Sequence, residues 1–376
     1  MKYFFSVLFS FCMQIVLGQS SSICLYEHKS EEYNLNHLAE RNDTDVIQIK
    51  VVIHILWFQQ VENISEEQIQ SQLLAINRDF NGIPKINCNL PNYYFNRIGN
   101  PRIQFCLATV DPNGNATNGI TRTLTAKQFN STNLKDAALK SNGGSDAWNR
   151  DEYLNIWVVP FEDEVLGYSA GVTDKYFDGV FVNTNVFGTI GNLQPDYNLG
   201  HTLSHEIGHY FGLNHIWGGD SCNCEDDDNI EDTPKQACFN YECSDIPKLS
   251  CGDYEMNFNL MDYTHDACRG YFTNGQSKQI RLILENFRMN LSKNAACSIN
   301  LNYTNLNILC NRKTFLFDDN ADIHIVIYSI DGRIVYKLDQ KVQYKIVDLS
   351  MLQNGIYLIN KTINGKQTIE KIVIFN

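Results

Sequence analysis

Apolar residues between positions 47 and 292 follow two spacings, and each spacing predicts a different kind of element. Continuous runs of β-branched and apolar residues predict buried strands. These runs lie at residues 47–58, 103–110, 154–161 and 179–183. A second pattern opens at Ser65, where Gln68 completes a capping box and apolar residues then recur at helical spacing. Those apolar positions are Ile69, Leu73, Ile76 and Phe80. Strands that alternate with a few long helices, the last of them GQSKQIRLILENF, favour a mixed sheet covered by helices.

The pattern changes after Cys297. From residue 315 to 376 the apolar stretches are short, namely IHIVIYS, RIVYKL, GIYLINKTI and TIEKIVIF. Between them lie the pairs Asp331-Gly332, Asn354-Gly355 and Asn364-Gly365. Asx-Gly pairs between strands are typical of tight hairpin turns. We therefore predict a separate all-β sandwich at residues 315–376, joined to the preceding domain by a linker at residues 296–314.

The N-terminal residues have the layout of a secretory signal peptide. Lys2 precedes an apolar run that ends at Leu17, and Gly18 follows before a polar stretch. The run is too short to span a membrane with polar flanks. A lipoprotein anchor is the alternative, but Cys12 lies inside the run and Cys24 lies beyond the expected cleavage point. We predict a signal peptide at residues 1–18 and, because residues 19–45 are polar and aperiodic, a short pro-segment after it.

Composition excludes some partners. The 376 residues carry a net charge of -13, with an isoelectric point near 5.1. This balance argues against nucleic acid or an anionic membrane surface as the partner. The hydrophobic fraction of 43% is enough for a large core.

Cysteine usage fits an oxidising compartment. Cleavage of the signal peptide removes Cys12 and leaves eleven of the twelve cysteines, so at least one thiol has a separate role. Cys24 is isolated from the rest. Local spacing suggests the pairs Cys88–Cys106, Cys224–Cys238 and Cys297–Cys310. Spacing alone does not fix the connectivity.

The chemistry-bearing stretch is HTLSHEIGHYFGLNH at residues 201–215. His205 and His209 are four residues apart, so on a helix both can bind one metal ion, and Glu206 lies beside that ion. His215 cannot continue the same helical face, so the helix, which we expect to begin near Tyr197 or Asn198, must end near Gly212. Glycine allows the positive φ of such a turn. The alternative is a helix with satisfied structural histidines, but five fixed positions match by accident in about one of 10⁵ such sequences.

Two further features suggest metal ligands. The Cys24 thiolate can occupy the open coordination position of zinc and keep an enzyme inactive until the pro-segment is removed. The alternative role is a spare disulfide partner. In the acid-rich loop after the histidines, Asp228, Asp232 and Thr233 are candidate calcium ligands, with a solvated acidic loop as the alternative.

The histidine motif, together with Met261, resembles the metzincin clan of zinc peptidases. HTLSHEIGHYFGLNHIWGG, EDTP and NLMDYTHDACRGYFTNGQ resemble the pappalysin (cytophagalysin) family, and the resemblance covers most of residues 47–292. It implies an α+β catalytic domain at residues 46–295, with a mixed twisted sheet, a backing helix, an active-site helix and a loop-rich lower subdomain held by disulfides. It also implies that Met261 lies in a turn beneath the zinc, although a lone methionine is more often core packing. Tyr263 then lies near the site, and the implied staples are Cys222–Cys251 and Cys243–Cys268. The same resemblance supports Ca²⁺ in the acidic loop.

The resemblance also bears on specificity. In that family an aspartate five residues after the methionine lies at the bottom of the pocket for the residue that follows the scissile bond, and Asp266 has that position here. A buried carboxylate there would favour arginine or lysine, because a cation offsets its desolvation. The alternatives are a pair with Arg269 or exposure to solvent.

The C-terminal stretch, from IYSIDGRIVYK to the end, resembles the sorting domain of type IX secretion cargo. It implies a bacterial protein that is secreted or held on the outer surface, with the secretion machinery as a partner.

These features predict a secreted zinc endopeptidase that is made as a zymogen and acts on proteins or peptides. Glu206 would serve as general base, and Tyr263 would hydrogen-bond the oxyanion. One alternative is a non-catalytic surface adhesin, although structural zinc sites usually use four protein ligands. Another is a metal hydrolase for small esters or amides.

Overall fold

A computed structural model describes residues 23–25, 45–82, 97–172, 177–219, 222–244 and 248–292, and toward the C terminus 308–309, 314–316, 322–341, 346–348, 352–353, 355–363 and 366–374. The predicted signal peptide lies outside these residues, and so does most of the predicted pro-segment. No helix in the described part of the chain is long and apolar enough to cross a membrane.

The centre of the molecule is a seven-stranded sheet in the order β1-β6-β7-β5-β2-β3, with β4 also paired to β2. Its strands are β1 (Cys24–Leu25), β2 (Ile47–Trp57), β3 (Ile103–Leu107), β4 (Ile120–Leu124), β5 (Leu154–Val159), β6 (Gly167–Ser169) and β7 (Val180–Asn183). All neighbouring pairs of strands are parallel except β6 and β7, which are antiparallel. The predicted mixed sheet is therefore confirmed. Every residue of β5 and β7 is buried, as expected for strands covered on both faces.

The first helix, α1 (Glu66–Asp79), begins where its sequence predicts. Ser65 is the N-cap, and its hydroxyl oxygen accepts a hydrogen bond from the Gln68 backbone N–H at 3.2 Å. The reciprocal half of the capping box is not formed, because the Gln68 amide donates to the carbonyl of Phe187 at 2.8 Å. The apolar positions predicted from the spacing are buried in the main core. α1 thus backs the sheet and packs against the helix that carries the histidines.

Helix α2 (His201–Tyr210) is shorter at both ends than predicted. Gly200 has φ 81°, and this left-handed residue sets the start at His201 rather than near Tyr197. The helix α3 (Asn274–Phe287) confirms the last predicted helix, with Thr273 as N-cap. Short 3₁₀ turns occur at Gln60–Glu62, Leu134–Ala138, Lys140–Asn142 and Thr184–Val186.

Between α2 and α3 the chain is mostly irregular, with one small hairpin of β8 (Leu249–Ser250) and β9 (Asp253–Tyr254). Three disulfides bridge this lower half: Cys222–Cys238, Cys224–Cys251 and Cys243–Cys268. The last was implied by the resemblance. The predicted pairs Cys222–Cys251 and Cys224–Cys238 are wrong, because Cys222 is bonded to Cys238 and Cys224 is bonded to Cys251. Cys222 and Cys224 are separated by one residue in a loop, so spacing could not distinguish which partner each reaches.

Two further predicted pairs are not decided. Cys106 is disulfide-bonded, but Cys88, Cys297 and Cys310 lie outside the described residues. Cys88–Cys106 and Cys297–Cys310 stay predictions.

The C-terminal residues form two antiparallel sheets, with strand orders β13-β12-β15-β16 and β10-β11-β14. Their strands are β10 (Ile308–Leu309), β11 (Thr314–Leu316), β12 (Asp322–Ser329), β13 (Ile334–Lys341), β14 (Ile346–Asp348), β15 (Gly355–Ile363) and β16 (Lys366–Ile374). β10 lies within the range predicted as linker, so regular structure begins earlier than expected. Gly355 opens β15, which pairs with β12 and β16 rather than with β14, and Asn354 lies outside the described residues.

Candidate active site

Three histidines converge where α2 ends. Helical spacing puts the Nε2 atoms of His205 and His209 3.1 Å apart. Gly212, with φ 79°, turns the chain after the helix as predicted. The turn brings the Nε2 atom of His215 to 3.0 Å from that of His209.

The other ring nitrogens are held by backbone carbonyls. The Nδ1 atom of His205 donates to the carbonyl of Leu260 at 2.7 Å, and that of His209 donates to the carbonyl of Leu213 at 2.8 Å. Carbonyl oxygens only accept, so each Nδ1 carries the proton and each Nε2 presents a lone pair. Burial lowers the pKa of His205 well below its ordinary value and that of His209 to about 3. Both rings are therefore neutral.

This donor set fits a zinc ion. Lone pairs that face one another at such short distances repel unless a cation lies between them. Zn–N bonds of about 2.0–2.1 Å in tetrahedral geometry separate two ligand nitrogens by about 3.3 Å. The observed separations are close to that value.

Cys24 completes the cluster. Its ligand atom and those of the three histidines lie within 4.8 Å of one another, and all four residues are buried. In the described part of the chain no other group of three or more His, Cys, Asp or Glu residues is gathered in this way. Cys24 reaches the site on β1, which pairs with β6 in parallel, with Cys24 opposite Gly167. Burial and the nearby Glu206 raise the pKa of the thiol, and a bound cation would favour the thiolate instead.

Glu206 is buried beside the cluster, on the turn of α2 between two of the histidines. Burial raises the pKa of Glu206 to about 8, and the Cys24 thiol and the Arg269 guanidinium oppose that rise. Its carboxylate lies against Gly167, where an added Cβ would come within 2.5 Å of Oε1. Sequence reasoning missed Gly167, because a three-residue strand gives no periodic signal.

Met261 lies beneath the same turn of α2. An added Cβ at Gly208 would lie 2.5 Å from the Met261 sulfur, so the helix and the methionine are in direct contact there. The neighbouring Leu260 supplies the carbonyl that orients His205. Met261 therefore lies next to the helix that carries two of the histidines, and its role beneath a zinc ion stays a prediction. Gly208 was missed, because a helical glycine has several explanations until its neighbour is known.

Tyr263 packs against the histidine cluster. Its ring is 4.9 Å from that of His215, centroid to centroid, and its hydroxyl donates to the Cys24 carbonyl at 3.3 Å. Trp217 stacks on His215 at 4.3 Å, and Phe239 packs against both Trp217 and Tyr263. The tyrosine hydroxyl therefore reaches the segment that occupies the site. The other aromatic residues gave no signal in the sequence.

Two of the predicted calcium ligands, Asp228 and Thr233, contact each other, whereas Asp232 is engaged elsewhere. Asp232 accepts from the Thr273 hydroxyl at 2.6 Å and from the Gly275 N–H at 2.9 Å, so it binds the start of α3. Asp228 accepts from the Thr233 hydroxyl at 2.7 Å through Oδ1. Within the described residues the buried atoms Asp228 Oδ2 and Asp227 Oδ1 have no hydrogen-bond partner.

Asp266 is buried and engaged on both oxygens. Oδ1 accepts from Arg269, whose Nη2 is 3.1 Å away, and Oδ2 accepts from the N–H of Leu199 at 2.8 Å. The pairing with Arg269 is one of the alternatives that the sequence left open.

Comparison with known proteins places these features in context. Residues 139–285 match a peptidase family described as pregnancy-associated plasma protein-A, and residues 300–375 match a secretion system C-terminal sorting domain. An extracellular metalloprotease of Arthroderma gypseum is 28% identical over 252 residues, which cover 64% of this chain and 74% of the relative. An extracellular metalloprotease of Neurospora crassa is 36% identical over 151 residues, which cover 37% of this chain and 50% of the relative.

Two solved structures are similar over a larger share of the chain. Tannerella forsythia mature mirolysin in complex with a cleaved peptide is 38% identical, with a TM-score of 0.64, and the match covers 67% of this chain and 97% of that one. A promirolysin mutant from the same organism is 37% identical with a TM-score of 0.63, over 66% of this chain and 85% of that one.

Proposed function

Because this chain belongs to the pappalysin family of metalloproteases, we propose that it is a zinc endopeptidase whose metal is held by His205, His209 and His215. One observation carries the proposal: three imidazole nitrogens converge in a buried site beside the carboxylate of Glu206. The substrates are proteins or peptides. The C-terminal sorting domain directs export by the type IX secretion machinery, so the enzyme acts outside the cell or on its surface.

Each residue then has a defined task. The two backbone carbonyls keep His205 and His209 in the tautomer that presents Nε2 to the metal. When bound, zinc supplies Lewis acidity, which polarises the peptide carbonyl and lowers the pKa of water. Glu206 accepts a proton from the attacking water and passes it to the leaving amine. The Tyr263 hydroxyl donates a hydrogen bond to the carbonyl oxygen as negative charge develops there.

Replacement of the general base tests this assignment. Glu206→Gln keeps the shape of the side chain but cannot accept the proton, so we expect casein hydrolysis to fall by about 10²-fold or more. The histidines are unchanged, so zinc content, measured by elemental analysis, should match that of the wild type. If the variant cleaved casein at the wild-type rate, the role of Glu206 would be wrong. A wild-type enzyme that hydrolyses small esters but not casein would instead favour the small-molecule hydrolase.

We also propose that residues 19–45 form an inhibitory pro-segment. The support is the position of Cys24, whose strand β1 lies on the sheet edge next to Glu206 and whose carbonyl is bound by Tyr263. A thiolate there would take the coordination position that catalysis needs open. The other boundaries remain predictions: a signal peptide at 1–18, a catalytic domain at 46–295, a linker at 296–314 and a sorting domain at 315–376.

Calcium remains a proposal for the acidic loop. Its support is the pair of buried oxygens Asp227 Oδ1 and Asp228 Oδ2, since adjacent carboxylate oxygens without hydrogen-bond donors favour a hard cation. Asp228 belongs to the predicted set, whereas Asp232 is engaged elsewhere.

The predicted preference for arginine or lysine after the scissile bond depends on Asp266. It requires a substrate cation to bind a carboxylate whose two oxygens already have partners. The preference stays a prediction.

A further inference from the structure

A tight turn, and not the active-site helix, brings His215 to the histidine cluster. The backbone N–H of Gly218 donates to the carbonyl of His215 at 2.9 Å, and Gly218 has φ 74°. An added Cβ at Gly218 would lie 2.4 Å from the backbone nitrogen of Asp227, so a side chain would not fit at this turn. The turn folds the chain back on itself. As a result, the side chain of Trp217 lies over the imidazole ring of His215.

The rings of Trp217 and His215 stack almost in parallel. Their centroids are 4.3 Å apart, and their planes differ by 7°. Tyr263 and Phe239 pack against the indole at steep angles, with ring centroids 4.7 and 5.6 Å from that of Trp217. Only 3% of Trp217 and 5% of His215 are exposed. The indole is therefore fixed over the imidazole, and both rings are shielded from water.

Different kinds of contact orient the three histidines. Backbone carbonyls hold the rings of His205 and His209 through their Nδ1 atoms. The contact of Trp217 with His215 is across the face of the ring, so it fixes the plane of the imidazole. That plane sets the direction of the His215 Nε2 atom, which lies 3.0 Å from Nε2 of His209.

A stack of this kind favours the metal-bound form of the histidine. A metal ion withdraws electron density from the imidazole that binds it, so the bound ring is more cationic than the free ring. The face of an indole attracts cations more strongly than the face of tyrosine or phenylalanine does, and most strongly where water is excluded. A contact that is stronger in the bound state than in the free state raises the affinity for the ligand.

Another histidine in the described part of the chain is also stacked on a tryptophan. The ring centroid of His54 lies 5.2 Å from that of Trp157, and the planes differ by 22°. The two ring nitrogens of His54 are hydrogen-bonded to Thr121 and Asn155. His54 does not belong to the group of possible metal ligands, so its stack provides a matched control.

We propose that Trp217 is a positioning residue that holds His215 and raises the zinc affinity of the site through the face of its indole ring. This inference rests on the proposed zinc site, but it concerns binding of the metal and not hydrolysis of the peptide bond. It gives a role to a residue that has no metal-binding group of its own.

The first test compares two variants of the full-length protein, Trp217→Leu, which has no π face, and Trp217→Phe, whose π face attracts cations less strongly. Trp157→Leu removes the indole stacked on His54 and is the matched control. Zinc affinity is measured by competition with a chromogenic chelator, and circular dichroism checks the fold. We expect zinc binding to weaken by about tenfold in Trp217→Leu and about threefold in Trp217→Phe, and to stay within about twofold of wild type in Trp157→Leu.

The second test keeps the shape of the indole and changes its electron density. Fluorine withdraws electrons from the ring, so the full-length protein is produced with tryptophan that carries no, one, two or three fluorine atoms. The same series in Trp217→Phe shows how much of any effect comes from the other tryptophans. We expect zinc affinity to fall as fluorine atoms are added, by about threefold over the wild-type series, and to stay constant over the Trp217→Phe series.

Three results would overturn the inference. The first is wild-type zinc affinity in a folded Trp217→Leu variant, and the second is an equal loss of affinity in a folded Trp157→Leu variant. The third is a zinc affinity of the wild-type protein that does not change with fluorination. If the leucine variants do not fold, the fluorine series decides alone. A wild-type protein that binds zinc but does not cleave casein contradicts the peptidase function, which is a different outcome because the affinities are still measured.

Discussion

Single buried residues set the chemistry of this site through atoms other than the metal ligands and the proposed base. The carbonyls of Leu260 and Leu213 decide which nitrogen of His205 and His209 is left to bind a metal. The absence of a side chain at Gly167 lets the Glu206 carboxylate approach the sheet edge, and the same absence at Gly208 makes room for Met261. A methyl group at either glycine would overlap its neighbour. The orientation of each of these side chains therefore depends on an atom of another residue.

His54 is a buried residue outside the site whose effect on stability depends on pH. Its Nδ1 is 2.8 Å from the Thr121 hydroxyl, its Nε2 is 3.1 Å from Asn155 Oδ1, and its ring stacks on Trp157. Burial lowers the pKa of His54 to about 4, from an ordinary value of 6.5. Between these values the unfolded chain binds a proton that the folded chain does not. The free energy of unfolding therefore falls as the pH drops from 6.5 through 4, by about 3 kcal/mol in total from this residue.

The measurement is urea unfolding at several pH values, followed by tryptophan fluorescence, for the wild type and His54→Gln. The variant has no titrating group at this position, so the difference in free energy of unfolding between the two proteins should shrink by about 3 kcal/mol from pH 7 to pH 4. Parallel pH curves would show that His54 does not contribute.

At the scale of elements, strand β6 contacts both β1, which carries Cys24, and the proposed general base Glu206. β1 adds to β6 in parallel, and this pairing carries Cys24 to the histidines while Gly167 on β6 contacts Glu206. An unpaired strand edge accepts any extended chain, because its hydrogen-bonding groups are on the backbone. Removal of β1 would therefore expose an edge next to the metal ligands.

We expect Cys24→Ala to activate the unprocessed zymogen, because alanine cannot ligate zinc while the strand can still pair through its backbone. Casein hydrolysis by the intact precursor should rise by about tenfold or more relative to the wild-type precursor. The readout is activity together with the mass of the chain before and after incubation. Ser22→Ala, two residues before Cys24 in the predicted pro-segment, is the matched control and should have no effect. An intact Cys24→Ala precursor that is no more active than wild type would refute inhibition by the thiol.

At the scale of the whole molecule, the two halves around the site are held together in different ways. The upper half is built on a sheet, whereas the lower half is mostly irregular chain that shares the same apolar core and adds three disulfides to it. Cross-links of this kind restrict the unfolded state of a loop-rich region. A cation in the acidic loop would add to them.

We expect calcium to raise the midpoint of thermal unfolding. At a free concentration 100 times its dissociation constant, a ligand that binds only the folded state adds about 2.7 kcal/mol. Asp228→Asn should remove most of this gain, because it weakens the pair of carboxylates at Asp227 and Asp228. Glu225→Gln, an exposed acid in the same loop, is the matched control. The measurement is differential scanning calorimetry with calcium and with a chelator selective for calcium. Equal midpoints in both conditions would exclude a structural calcium site.

The amino-acid sequence by itself determined the features that depend on local spacing. Helical periodicity predicted α1 and α3, continuous apolar runs predicted β2, β5 and β7, and the histidine motif predicted the cluster and the turn at Gly212, because a helix presents residues four apart on one face. Only the tertiary structure decided which partners meet across long separations. In the folded chain Cys222 is bonded to Cys238 and Cys224 to Cys251, and Asp232 binds the start of α3. Both side-chain oxygens of Asp266 have hydrogen-bond partners within the chain. A side chain's type and spacing limit what it can bind, but its partner depends on how distant segments pack, and no local pattern encodes that.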